Sequence, residues 1–267
     1  MPYASLRSHL PVLAALLALI ASPAVAATVP VSDDFSGTTL NSSLWAFVNP
    51  LNDASYSVSS DEVRIALPGA KAHDIWSTGD NGARIMQTVS NEDFEVISKI
   101  DSPVTAAYQM QGILVEQSTT VFLRFDLRRD SIGPRIFAAS ISGATGTFRI
   151  DQSLPGVGAP FWLKVKRTGN NWTESYSTDG ISFTTAGTFG FTLTVSKIGL
   201  FAGNYNNVAS NVPAFTAAFD YFYNTAVNPS APDLTIGMTH NGNFTPGGSG
   251  SYTITLLMLA WRRLPVR

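Results

Sequence analysis

Cysteine is absent from the 267 residues. That removes disulfides, thiol nucleophiles, iron–sulfur clusters and thiolate zinc sites at one stroke. Histidine is scarce, with three residues at His9, His73 and His240 that lie far apart in sequence. A histidine-based metal site or a Ser-His-Asp arrangement therefore has little to work with, and any metal would be hard and oxygen-bound. Charge is low as well: Asp, Glu, Lys and Arg make up 13% of the chain, with a formal net charge of −2. Soluble proteins usually carry about 25%, and without a basic excess there is no electrostatic footprint for nucleic acid or an anionic membrane. Helical periodicity is also missing, since no stretch of about 12 residues sustains an i, i+3, i+4 apolar pattern. What the chain has is hydrophobic bulk, 45% of its residues, including 16 Phe, 8 Tyr and 5 Trp. Disorder, collagen and coiled coil are excluded.

Residues 1–26 read as a secretory signal peptide. Arg7 lies in the charged region, an apolar stretch follows over residues 10–20, and Ala24-Val25-Ala26 supplies a small-residue cleavage site. The stretch is shorter than the roughly 20 residues of a membrane span, and Pro23 closes it. The expected product is secreted, extracellular or at the cell surface, with no membrane span after cleavage near Ala26.

From Asp33 to Tyr223 the signal is period two. In Val121-Phe122-Leu123-Arg124-Phe125-Asp126-Leu127-Arg128, the odd positions form an apolar face and the even positions a face read as wet. Similar strands are expected at 94–101, 110–116, 136–142, 161–167, 173–177, 197–202 and 214–223, punctuated by Gly and Asn. The fold class is all-β, a two-sheet antiparallel β-sandwich over 27–223. Thr178-Asp179-Gly180 is expected to reverse the chain as a type I′ turn; the segment resembles the Asp-box of sialidases but is read as structural. Residues 224–232 (N-T-A-V-N-P-S-A-P) read as a linker. Beyond it, 233–267 is a short C-terminal β fragment whose residues 233–255 resemble the start of a bacterial surface immunoglobulin-like repeat. Such a module needs about 100 residues to close. Leu256 to Trp261 then breaks the alternation, so the segment reads as a truncated or frame-shifted module of a longer surface protein, or as a genuine short tail.

An ordered series of segments carries a second resemblance: Asp33-Asp34-Phe35-Ser36-Gly37, Leu44-Trp45, His73-Asp74-Ile75-Trp76, 93–100, 108–115, Phe161-Trp162-Leu163-Lys164-Val165, Tyr176-Ser177-Thr178-Asp179-Gly180, 198–202 and Phe219-Asp220-Tyr221-Phe222. Over residues 31–223 the chain resembles the concanavalin-A-like jelly-roll modules at the C-terminus of family 43 β-xylosidases and related domains of unknown function. The resemblance implies a curved sandwich with an inner groove that binds or frames polysaccharide. It also implies a place for one cofactor, a structural Ca²⁺ between the first and last strands, where Asp33, Asp34 and Asp220 would meet. No cofactor is otherwise required.

Glycoside hydrolysis normally uses two carboxylates about 5 to 9.5 Å apart. Family 16 enzymes of this fold place theirs as E-x-D-x-E or E-x-D-x-x-E on one strand, and no such run exists here. Glu92 and Glu95 face opposite sides of a strand, and only Glu116 with Asp126 could pair across strands. Lyase chemistry would draw on Tyr108, His73 and Arg124. The leading expectation is a non-catalytic carbohydrate-binding module, with a hydrolase and a structural or adhesive domain as alternatives.

Sugar binding asks for an aromatic platform and a few planar polar groups. The candidates are His73, Asp74, Trp76, Arg84, Tyr108, Gln109, Gln111, Arg124, Asp126, Asn204 and Tyr205. Gln109 and Gln111 point one way, Arg124 and Asp126 share a face on the next strand, and together they are expected to floor one polar groove. The competing reading of Arg124 and Asp126 is an ion-pair ladder on a solvated face. Trp76 fits core or platform, Trp45 and Trp162 fit packing, Trp172 a strand end, and His73 a hydrogen-bonding role.

Overall fold

A computed structural model describes residues 28–77, 79–225, 233–240 and 252–259. The leader, most of the linker and the last eight residues lie outside the described residues. The strands in chain order are β1 (Ala46–Val48), β2 (Ser55–Ser59), β3 (Glu62–Leu67), β4 (Ile75–Trp76), β5 (Gly79–Asp80), β6 (Ala83–Thr88), β7 (Phe94–Ile100), β8 (Gln109–Ser118) and β9 (Val121–Arg129). They continue with β10 (Pro134–Ser142), β11 (Thr145–Ser153), β12 (Phe161–Thr168), β13 (Asn171–Ser177), β14 (Thr184–Gly190), β15 (Lys197–Asn204), β16 (Phe215–Asn224), β17 (Asp233–His240) and β18 (Tyr252–Leu259).

Two seven-stranded antiparallel sheets form the sandwich. The first runs β1-β6-β15-β8-β9-β10-β11 and the second β14-β13-β12-β7-β16-β3-β2. Between them lies an apolar core of alternating residues, including Ile113, Val115, Leu123, Phe125 and Leu127 from the first sheet and Val96, Ile100, Phe161, Leu163, Val165 and Phe219 from the second. Each is buried because the pleat sends every second side chain to the same face. The chain is closed near its start: Asp33 bridges to Phe222, and the Asp33 N–H donates to the Phe222 carbonyl at 2.9 Å. Trp45 stacks edge-on against Phe222 at 5.5 Å, as packing requires. Trp162 donates from Nε1 to the Tyr221 hydroxyl at 2.8 Å. Strands β17 and β18 pair antiparallel with each other in a separate two-stranded sheet.

Two local expectations change. Trp172 is fully buried against Phe94 and Phe125, so it belongs to the core rather than to a strand end. The Asp179-Gly180 reversal is wider than a two-residue turn, because the last pair is Tyr176 with Thr184. Gly180 alone takes a positive φ, 73°, while the Asp179 carboxylate accepts the N–H groups of Ile181 and Ser182, each at 2.8 Å. Side-chain capping of the loop backbone replaces the type I′ geometry there.

Candidate functional site

The outer face of the first sheet is not open over most of its width. Residues 68–77 and 79–82 cross it as a strap. Its start is held by Ala70, at φ 62°, whose N–H donates to the Val212 carbonyl at 3.0 Å. Its middle carries Ile75, fully buried against Met86, Met110, Leu114, Phe122, Phe137 and Phe201. These residues form a second apolar layer outside the sandwich. Gly82 lets the strap return closely, since a Cβ there would lie 2.2 Å from the Ile75 Cδ1.

His73 is the strap's main anchor and is fully buried. Its Nδ1 lies 2.9 Å from Asn204 Oδ1 and its Nε2 2.9 Å from Asp53 Oδ1. Asn204 completes the joint by donating from Nδ2 to the carbonyls of Pro68 and Pro213, at 3.0 and 2.7 Å. Burial acts to raise the Asp53 carboxyl, but Lys71 and the contact with His73 together hold it below its usual range. The expected hydrogen-bonding role of His73 is therefore what the geometry gives, and Asn204 is its partner rather than a groove residue.

The pairing register overturns the expected single groove. Gly112 sits opposite Asp126 and Leu114 opposite Arg124, so the even positions of β8 share the outer face with Arg124 and Asp126. Gln109 and Gln111 point the other way. Gln111 donates to the Ser102 carbonyl at 2.6 Å and accepts from the Ser102 hydroxyl. Gln109 accepts the amides of Thr105 and Ala106 and donates to the Ala214 carbonyl at 3.0 Å. Both amides are buried and pin the chain at one end of the sandwich.

Under the strap, charges are grouped around two arginines. Arg124 makes a bidentate pair with Asp126, both bonds 2.9 Å, and donates to the Ile75 carbonyl at 2.7 Å. Its guanidinium also lies 5.1 Å from the Phe137 ring and 5.7 Å from that of Phe201. Burial pushes the nearby Asp74 carboxyl up, against the pull of Arg124. Arg84 donates to Asp80 Oδ2 at 2.6 Å and to the Gly82 carbonyl at 2.9 Å. Its Nε is 2.8 Å from Glu116 Oε1, an ionic contact without the alignment a hydrogen bond needs. Burial, with Glu116 adding to it and Arg84 opposing it, pushes the Asp80 carboxyl up to about 6. Arg84, Arg124, Asp126 and Glu116 are thus neither a solvated ladder nor a groove floor, since all four are 3% exposed or less. Glu116 and Asp126 are held by different arginines.

The part of the face left accessible is aromatic and cationic. Trp76 is half-buried, packs flat over Gly146, and meets Phe148 at 5.3 Å. Phe148 is 61% exposed and also contacts Phe137 at 5.3 Å. Arg128 lies over Phe137 at 4.0 Å and pairs with Asp151 at 3.0 Å, and Arg135 joins the same carboxylate at 2.6 Å. Further along, Tyr108 and Tyr205 meet edge to face at 6.0 Å, with Tyr108 at φ 68°. A left-handed φ at an aromatic residue is strained. Of the sequence candidates, Trp76, Tyr108 and Tyr205 remain reachable. Phe148, Arg128, Arg135 and Asp151 were not singled out by sequence, although the apolar Phe148 inside the otherwise polar T-G-T-F-R run was the visible signal.

The three acidic residues expected to hold calcium are each engaged with protein groups. Asp33 accepts the Trp45 indole N–H at 2.8 Å and the Phe35 amide at 2.9 Å, Asp34 caps the Ser36 amide, and Asp220 pairs with Lys99 at 2.7 Å. Among the described residues no group of three or more His, Asp or Glu side chains could hold a metal.

Residues 32–224 match the family model of the β-xylosidase C-terminal concanavalin-A-like domain. The chain belongs to this family. A search of curated proteins finds no match. Among solved structures, this family member is similar to the GH43 protein BlXynB from Bacillus licheniformis, with 23% identity and a TM-score of 0.57 over 72% of this chain and 38% of that one. It is also similar to the Bacteroides ovatus xyloglucan-locus protein GH43B, at 15% identity and TM-score 0.56, over 73% of this chain and 39% of that one. A third is the CBM2 module of the evolved Dit of Lactobacillus casei BL23 phage J-1, at 9% identity and TM-score 0.51, over 73% of this chain and 95% of that one. The chain spans well under half the length of the two GH43 proteins.

Proposed function

We propose that this β-xylosidase C-terminal-type domain is a non-catalytic carbohydrate-binding module of a secreted or surface protein. In this reading it engages polysaccharide along the accessible strip of the first sheet's outer face. The observation that carries the reading is the row Trp76, Phe148, Arg128 and Asp151, backed by the buried Phe137, which offers rings for the apolar faces of sugars and planar charged groups for their hydroxyls. The family's description as a β-xylosidase C-terminal domain, the partial coverage of the GH43 neighbours and the expected export signal support a module within a longer exported protein.

The test is binding of the chain, expressed without residues 1–26, to a panel of plant, algal and microbial polysaccharides, with prolonged incubation of each hit. Saturable binding without products, weakened at least tenfold by Phe148→Ala, is expected. Released oligosaccharides would make the chain a hydrolase instead. No binding to any polymer would leave a structural or adhesive domain.

A further inference from the structure

At the end of the strap, the β4–β5 hairpin, the β8–β9 turn and the β10–β11 turn enclose a cavity of about 300 Å³. Its walls include Trp76, Ser77, Asp80, Thr119, Thr120 and Phe122. The feature that demands an explanation is Asp80. Its side chain is only 4% exposed, and Oδ2 is taken by Arg84 at 2.6 Å, yet Oδ1 is buried with no hydrogen-bond partner. A buried carboxylate oxygen left without a donor costs free energy that a ligand O–H would recover. The carboxylate is fixed from behind, because Arg84 is itself held by the Gly82 carbonyl and faces Glu116.

The opposite wall is equally constrained. The Trp76 indole lies so close over Gly146 that a Cβ there would be 2.5 Å from a ring carbon, and Phe148 closes on its edge. Its ring plane is therefore set before any ligand arrives, which lowers the ordering cost of binding. Phe122 adds apolar surface, and Ser77, Thr119 and Thr120 bring hydroxyls that donate or accept. Asp80 is the charged residue that lines the cavity, whereas its partner Arg84 is not part of the lining, so an anionic ligand would meet the carboxylate first. At about 300 Å³ the space is at the small end of ligand sites.

We infer that this cavity is a binding site for one neutral, hydroxyl-rich sugar ring, with Asp80 Oδ1 accepting a sugar hydroxyl and Trp76 stacking on the ring's apolar face. The site therefore reads a terminal or branch residue of a glycan, whereas the Phe148–Arg128 strip contacts the chain. The inference deepens the carbohydrate-binding reading and rests on it.

The experiment titrates the chain with methyl glycosides of xylose, arabinose, glucose and galactose, followed by ligand-observed NMR. Methyl glucuronide and methyl glucosaminide serve as the anionic and cationic arms. Two variants address the cavity: Asp80→Asn, which exchanges an acceptor for an amide, and Thr119→Trp, an exposed turn position whose indole would fill the mouth without touching the buried charges. Phe148→Ala addresses the strip. At least one neutral glycoside is expected to bind saturably, to lose tenfold or more in affinity in Asp80→Asn, and to lose binding in Thr119→Trp. Lys99→Ala, on the second sheet and away from both cavity and strip, should leave its binding within twofold. Monosaccharide binding unchanged in both cavity variants overturns the assignment, and so does preferential binding of the glucuronide or the glucosaminide. If polysaccharides bind through Phe148 while every monosaccharide fails, the cavity inference falls and the broader reading stands. If neither class binds, both fall.

Discussion

The molecule buries acids in two places and treats them in opposite ways. Between the sheets, Glu174 on β13 lies opposite Val165 and Gly187 and is fully buried, with neither carboxylate oxygen hydrogen-bonded. Burial pushes its carboxyl well above the usual range, Asp126 adds to this, and the nearby Asp126 amide offsets only part of it. Under the strap, by contrast, Asp80, Glu116 and Asp126 each have an arginine within 3 Å. A core made only by two apolar faces offers no counter-ion, so its acid must hold a proton. A layer built on the outside of a sheet can recruit long side chains from the strand and carbonyls from the strap, so its acids are given counter-ions.

The largest effect expected from disturbing this contrast comes from Arg124→Met. It should destabilise the fold by about 3–5 kcal/mol, because Asp126 is left as an uncompensated buried charge. Urea unfolding of the single variant and of Arg124→Met with Asp126→Leu checks this; the double variant should recover most of the loss, and no recovery would show that the pair is not the cause.

Smaller and of opposite sign is Glu174→Leu. With a folded-state pKa above the unfolded value of about 4.3, Glu174 binds more protons in the native state than in the unfolded chain. Its presence therefore lowers stability progressively as pH rises above about 4, towards its raised folded value. Glu174→Leu should stabilise by roughly 1–3 kcal/mol at pH 7 and flatten the fall in melting temperature between pH 4 and 8. A variant less stable than the parent at pH 8 would contradict the picture.

The smallest effect belongs to Lys99, which pairs with Asp101 and Asp220 on the outer face of the second sheet. There the partially exposed ions are screened, so Lys99→Ala should change stability by about 1 kcal/mol or less. A loss as large as that of Arg124→Met would erase the distinction between surface and strap.

Much of the sandwich was readable: eight of its strands, β7, β8, β9, β10, β12, β13, β15 and β16, fall within a few residues of expectation, and β7 and β12 alternate cleanly in burial. Strand β6 was missed because it is short, six residues, and buried over 83–87 on both faces, so neither length nor alternation marks it out. Strand β11 was missed because it is mostly exposed and its pairing with β10 shifts register between Ala138 and Ala139. The candidate site was less legible for a different reason. Alternation tells which residues of one strand share a face, but whether Gln111 and Arg124 share one depends on pairing register, which only the folded sheet fixes. Nor does alternation reveal a strap: the polar positions of β9 looked wet because nothing local announces that Ile75 will arrive from 49 residues upstream of Arg124.

Trp76 and Gly146 carry one more consequence. The indole's tilt is dictated from a neighbouring strand by the lack of a side chain, at a position that contacts no part of the cavity's contents. A drift from glycine to alanine there would lever the ring outward and reshape what the cavity admits while every residue facing it stayed the same. Selectivity among members of such a family can thus change silently, through a residue that a catalogue of cavity walls would never include.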